Sequence, residues 1–143
     1  MIDEVMDTVT LTIDGRQVTV EKGQTVLQAA IGAGISVPYY CYHPGIGVDG
    51  SCRVCVVKIE KMPKLQTSCS MACTDGMIVS TRDAEVVEAR AGVFEFLLVN
   101  HPLDCPVCDK GGECPLQDFS YTFGPSESRM DFPRRVFDGA GVK

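Results

Sequence analysis

The sequence predicts an α+β fold: a small mixed sheet with one helix packed on it, followed by a helical, cysteine-rich segment. Three observations carry that prediction. Two alternating apolar runs flank Asp14-Gly15. A capped helical stripe follows them. Cysteines then gather in two regions separated by a longer helical stretch.

The elements follow in chain order. In "TVTLTIDGRQVTV", Val9, Leu11 and Ile13 alternate with threonines, and Val18 and Val20 alternate beyond the Asp14-Gly15 turn, so a β-hairpin is expected. In "QTVLQAAIGAG", Thr25 and Gln28 have capping-box spacing, and Val26, Leu27, Ala30 and Ile31 form an apolar stripe. Gly32 and Gly34 should end that helix, and Pro38 disfavours its return. Residues 39–55 form a glycine-rich loop, in which Gly45, Gly47 and Gly50 permit tight curling. "CVVKIE" (55–60), "KLQTSC" and "MIVST" (77–81) read as strands. Residues 82–100 predict a helix, with Val86, Val93, Leu97 and Leu98 on one face and Pro102 just past its end. "PLQDFSYTFG" reads as a short helix, and residues 124–143 as an extended tail.

The chain has 143 residues, enough for one ordinary domain or a small domain with an appendage. Its net charge is −6, and no basic stripe marks it for nucleic acid. Arg129, Arg134 and Arg135 gather late but read as a solvated surface. No apolar run approaches the ~20 residues of a membrane span. "MIDEVMDTVTLTID" is acidic and alternating, unlike a signal or transit peptide, so a cytoplasmic location is expected. Eight cysteines in a reducing compartment favour metal or redox chemistry over disulfides.

Cys41, Cys52, Cys55 and Cys69 give C-x10-C-x2-C-x13-C. Plant-type 2Fe–2S proteins use C-x4-C-x2-C…C, the same order of elements with a shorter first gap. Cluster sulfurs accept backbone N–H hydrogen bonds, and a loop wrapping an inorganic core needs glycines at closest approach. A four-cysteine zinc site normally shows two C-x2-C knuckles, and the second is missing here. Cys73 lies four residues after Cys69 and could replace it. Cys69 is preferred, with Cys73 as a buried bystander thiol. His43 reads as a hydrogen-bonding loop histidine. Tyr39, Tyr40 and Tyr42 read as packing around the first set, and Arg53 either offsets its charge or points into solvent.

The second set is "NHPLDCPVCDKGGEC". His101, Cys105, Cys108 and Cys114 give H-x3-C-x2-C-x5-C, with His101 at the end of the long helix as the fourth ligand. Imidazole suits iron and zinc alike, so this spacing leaves a 4Fe–4S cluster and a zinc ion both open. For a cluster, the neutral histidine removes one negative charge and should raise the potential relative to four cysteines.

The stretches "VPYYCYHPG…GSCRVCVVKIE", "TSCSMACTDGM" and "NHPLDCPVCDKGGECPLQDFSYTFG" resemble the N-terminal part of the large iron–sulfur subunit family of respiratory complex I, the NADH–quinone oxidoreductase. The resemblance covers roughly residues 8–137. A similar module opens iron-only hydrogenases, the diaphorase part of NAD-reducing hydrogenases and some NAD-linked formate dehydrogenases. The resemblance implies a β-grasp, ferredoxin-like domain over residues 1–82, with one 2Fe–2S cluster on Cys41, Cys52, Cys55 and Cys69. It implies a helical segment over 83–123, with one 4Fe–4S cluster on His101, Cys105, Cys108 and Cys114. Residues 124–143 would be a tail or the start of a further module.

The expected role is a non-catalytic electron-transfer subunit. It would pass electrons from a flavin- and NADH-binding partner subunit to further iron–sulfur subunits, and reach the cytoplasmic face of a membrane only through the complex. The sequence has no G-x-G-x-x-G after a strand, and no Ser/His/Asp set or carboxylate pair suggesting hydrolysis. The alternatives are the electron-input module of a hydrogenase or formate dehydrogenase, and a zinc-stabilised interaction module without redox role. Family members continue beyond the point matching Lys143 into further cysteine-rich motifs. One of their later clusters lies between the two sites here on the electron path. A complete chain would need a partner to supply that intermediate, and the ending "DGAGVK" favours a cut between modules.

Overall fold

The computed structural model describes residues 7–135. The first six residues and the ending "DGAGVK" lie outside them. Strands β1 (Thr8–Ile13) and β2 (Arg16–Glu21) pair antiparallel, with Thr8 opposite Glu21 and Ile13 opposite Arg16. Asp14 (φ 49°) and Gly15 (φ 80°) are both left-handed, which is the two-residue turn whose twist matches the flanking strands. Leu11 and Ile13 point into the core.

Helix α1 (Val26–Gly32) starts on the expected capping box. Gln28 N donates to Thr25 Oγ1, and Thr25 N donates to Gln28 Oε1 at 2.9 Å. Two of the amide donors orphaned at the helix start are thereby satisfied, one of them Thr25's own. Val26, Leu27, Ala29 and Ala30 are buried against the sheet residues Leu11, Val57 and Val79. Ile31, expected in the stripe, is exposed.

β3 (Val56–Ile59), β4 (Gln66–Thr67) and β5 (Ile78–Ser80) complete the sheet. Among the described residues its order is β2-β1-β5-β3-β4. β1 and β5 run parallel and the other pairs antiparallel. A mixed sheet gripping one helix is the α+β arrangement expected, with its core between α1 and the sheet.

Helix α2 spans Ala84–Leu98. The buried stripe is Val86, Arg90 and Phe94, one residue per turn, rather than the predicted Val86, Val93, Leu97 and Leu98. Val86 and Phe94 are both fully buried. Arg90 is buried because its head finds backbone acceptors, which a hydrophobic pattern does not reveal.

The chain divides into two compact units between Arg90 and Ala91, inside α2. In the second unit a 3-10 turn (Cys105–Val107) precedes α3 (Pro115–Phe123). The ring centroids of Phe94 and Phe119 are 6.3 Å apart, and those of Phe119 and Phe123 6.2 Å.

Residues 124–135 contain no helix or strand, but they are anchored. Arg129 pairs with Glu95 at 3.0 Å. Arg134 Nη1 donates to the carbonyls of Leu98 (2.6 Å) and Val99 (3.0 Å), and Arg135 N donates to Asn100 Oδ1. Among the described residues no helix is long and apolar enough to cross a membrane.

Candidate metal centres

The first set is built by a loop, a strand start and a turn. Cys41 and Cys52 lie in the loop between α1 and β3. Tyr42 is buried, accepts from Gln28 Nε2 at 3.4 Å and packs edge-on against Tyr39 at 5.6 Å, which ties the loop to α1. His43 accepts from Gly45 N through Nδ1 at 3.0 Å, and its backbone pairs with Gly47. It is a loop-shaping histidine, as expected.

Gly50 (φ 77°) and Arg53 (φ 60°) are left-handed. Such residues among ordinary ones turn successive N–H groups inward, making a concavity for negative charge. The backbone N–H groups of Cys52 and Ser51 reach Cys41 Sγ, and those of Val54 and Cys41 reach Cys52 Sγ. Burial pushes the Cys41 thiol up, but donors from Cys52 and Ser51 outweigh it and bring the value down to about 7. Burial raises Cys52, whose amide donors from Val54 and Cys41 oppose it.

Cys55 immediately precedes β3 and Cys69 follows β4. Ser68 donates twice to the Cys55 carbonyl, through its hydroxyl at 2.7 Å and its backbone N at 3.1 Å. Leu27 N and Val26 N donate to Ser68 O and Met71 O, so the Cys69 turn is also fixed to the start of α1. Cys55 and Cys69 are each 1% exposed and share a side-chain hydrogen bond. Burial, then Cys55, and then the charges of Cys41 and Cys52 push Cys69 up to about 12.

The structure thus gathers Cys41, Cys52, Cys55 and Cys69 into one interacting group made of two pairs, 41 with 52 and 55 with 69. Thiolates gathered this closely repel one another and need a strong positive centre among them, which iron supplies. Cys73 is buried, which raises its thiol, and no neighbouring cysteine contributes to that shift.

The second set lines one cavity of about 940 Å³: His101, Cys105, Cys108 and Cys114, with Leu98 and Leu116 on the apolar side. His101 follows α2, its N–H returning to Leu98 O at 3.2 Å. Cys105 opens the 3-10 turn, and Cys108 N donates to Cys105 O at 3.3 Å. Gly111 is required, because a Cβ there would meet Cys105 O at 2.6 Å and Cys108 O at 3.1 Å. Gly112 (φ 87°) donates to Gln117 Oε1 at 3.2 Å. Cys114 is the N-cap of α3, where a helix start favours negative charge. His101 and Cys108 are exposed.

Among the described residues no three His, Cys, Asp or Glu side chains converge closely enough for a single metal ion. Ser51, Ser68, Gln117 and Arg90 support these sites and were missed in the sequence. Only Ser51 and Ser68, each next to a cysteine, carried any local signal.

Comparison with known proteins follows the same division. Residues 6–84 match the family model for the 2Fe–2S iron–sulfur cluster binding domain. Residues 90–129 match that for the NADH-ubiquinone oxidoreductase-G iron–sulfur binding region. The G subunit of NADH-quinone oxidoreductase from Streptomyces coelicolor is 49% identical over 134 residues, 92% of this chain and 16% of that protein. The mitochondrial NADH-ubiquinone oxidoreductase 78 kDa subunit of Candida albicans is 50% identical over 122 residues, 85% of this chain and 17% of that one. The chain thus spans about a sixth of the length of these relatives. A crystal structure of an NAD+-reducing [NiFe]-hydrogenase in the H2-reduced state aligns with TM-score 0.79 and 35% identity, covering 90% of this chain and 55% of that one. The cofactors are accordingly one 2Fe–2S and one 4Fe–4S cluster, and the zinc alternative is set aside.

Proposed function

We propose, for a chain that belongs to the 2Fe–2S iron–sulfur cluster binding domain family, that it is the electron-transfer module of a complex I-like NADH–quinone oxidoreductase. Cys41 and Cys52 would hold one iron of the 2Fe–2S cluster, and Cys55 and Cys69 the other. His101, Cys105, Cys108 and Cys114 would hold the 4Fe–4S cluster. The observation that carries the reading is the paired group of four thiols, two of which accept backbone N–H donors.

When bound, the clusters supply one-electron redox chemistry at potentials the protein tunes. The chain's residues do the rest. Amides of Ser51, Cys52 and Val54 offset negative charge on the ligand sulfurs. Burial of Cys55 and Cys69 keeps water from half of the first site. The start of α3 stabilises charge at Cys114.

Electrons would come from a flavin-bearing NADH dehydrogenase subunit and leave to other iron–sulfur subunits. The module would sit on the cytoplasmic side of a membrane, held there by its complex. The likeness to the NAD+-reducing hydrogenase supports a second reading, the same module serving an NAD-linked hydrogenase.

The test mixes the anaerobic, cluster-loaded chain with a flavin-bearing NADH dehydrogenase subunit and adds NADH. Rapid bleaching of the iron–sulfur absorbance supports the reading. Clusters that dithionite reduces but NADH with the flavin subunit does not would overturn it.

A further inference from the structure

Arg90 lies in α2 and is 3% exposed. Burying a guanidinium is costly unless its donors are satisfied and an opposite charge is near. Its Nη2 donates to the carbonyl of Val56 at 2.7 Å, and its Nη1 to that of Thr81 at 3.3 Å. Val56 directly follows Cys55, itself 1% exposed. The guanidinium is therefore anchored one residue from a candidate iron ligand, on the dry side of the site.

The charged neighbours fit that placement. Burial pulls the Arg90 pKa down, while the negative charges of Cys55 and Asp14 push it back up. An arginine stays protonated at neutral pH even so. Asp14 is fixed by Thr81, whose backbone N donates to Oδ1 at 2.7 Å and whose hydroxyl donates to Oδ2. Thr81 thus links the two charges, carrying Asp14 on its N–H and hydroxyl and Arg90 on its carbonyl.

We infer that Arg90 is a positioning residue that sets the reduction potential of the 2Fe–2S centre, by holding a buried, permanent positive charge beside Cys55 against the counter-charge of Asp14. The inference rests on Cys55 being a ligand of that cluster. One-electron reduction adds one negative charge to the centre, and a nearby cation in a low-dielectric interior favours the reduced state. Removing the cation must lower the midpoint, and removing Asp14 must raise it. A merely structural role has no reason to give opposite signs.

The test is an anaerobic redox titration of the cluster-loaded chain, followed by EPR of the 2Fe–2S signal, for the wild type, R90M, R90K and D14N. Asparagine tolerates the left-handed φ at position 14, so D14N keeps the turn. R90M should lose at least tenfold in the reduction equilibrium, about 59 mV for one electron. R90K should recover most of that loss, and D14N should shift the midpoint upward. An unmoved midpoint in a fully loaded R90M overturns the inference, and so does R90K falling as far as R90M. If R90M fails to hold the cluster, the other two variants decide. R90K close to wild type with D14N raised supports the inference, and any other pair overturns it. A wild type with no 2Fe–2S signal at all overturns instead the ligand assignment beneath it.

Discussion

Ser68 donates its hydroxyl to the carbonyl oxygen of Cys55 at 2.7 Å, so one side chain ties the turn carrying Cys69 to the residue just before β3. Ser68 is fully buried, and its backbone N–H reaches the same oxygen. Ser68→Ala leaves that oxygen satisfied by the amide and removes one buried hydrogen bond, worth about 1 kcal/mol. Denaturant unfolding of the loaded chain, followed by bleaching of the 2Fe–2S absorbance, should show that loss with iron content unchanged.

Gly111 faces two carbonyls of the second site. A methyl at that position would meet Cys105 O at 2.6 Å, which backbone cannot yield cheaply. Gly111→Ala should empty the second site and spare the first. Iron per chain should fall from about six to about two, with the 2Fe–2S EPR signal retained.

As a ligand, His101 would contribute no negative charge where a thiolate would. His101→Cys should therefore keep a 4Fe–4S cluster and lower its midpoint, by an amount of order 59 mV or more for a tenfold change in the one-electron equilibrium. Redox titration of the 4Fe–4S EPR signal checks this. An unchanged midpoint removes His101 from the ligand set.

Arg134 places its guanidinium on the carbonyls of Leu98, the last residue of α2, and of Val99, just before His101. A cation there adds a donor to carbonyls at the helix end and complements the helix dipole. Arg134→Gln should cost about 1 kcal/mol at that helix end. Hydrogen exchange should quicken at residues 97–101, and 4Fe–4S absorbance should fade faster in air.

Local signals were legible in the sequence. Asp14-Gly15 between alternating runs gave the hairpin, and Thr25 with Gln28 gave the start of α1, because a turn type and a capping box are decided by neighbouring residues. The candidate ligands were legible from spacing, and Cys69 rather than Cys73 joins the interacting group. What was hidden depends on residues far apart in the chain. Arg90 breaks the hydrophobic pattern of α2, and only the folded sheet supplies the Val56 carbonyl that accepts it. The anchoring of residues 129–135 rests on Glu95, Leu98, Val99 and Asn100, which no local pattern pairs with them. The division of four thiols into two pairs likewise follows from the folded loop.

The most direct measurement is iron, zinc and acid-labile sulfide per chain on anaerobically purified protein, with EPR after dithionite reduction. Two clusters predict about six irons, matching sulfide and two distinct reduced signals. Zinc without sulfide, or a protein silent by EPR, would contradict an electron carrier with two iron–sulfur centres.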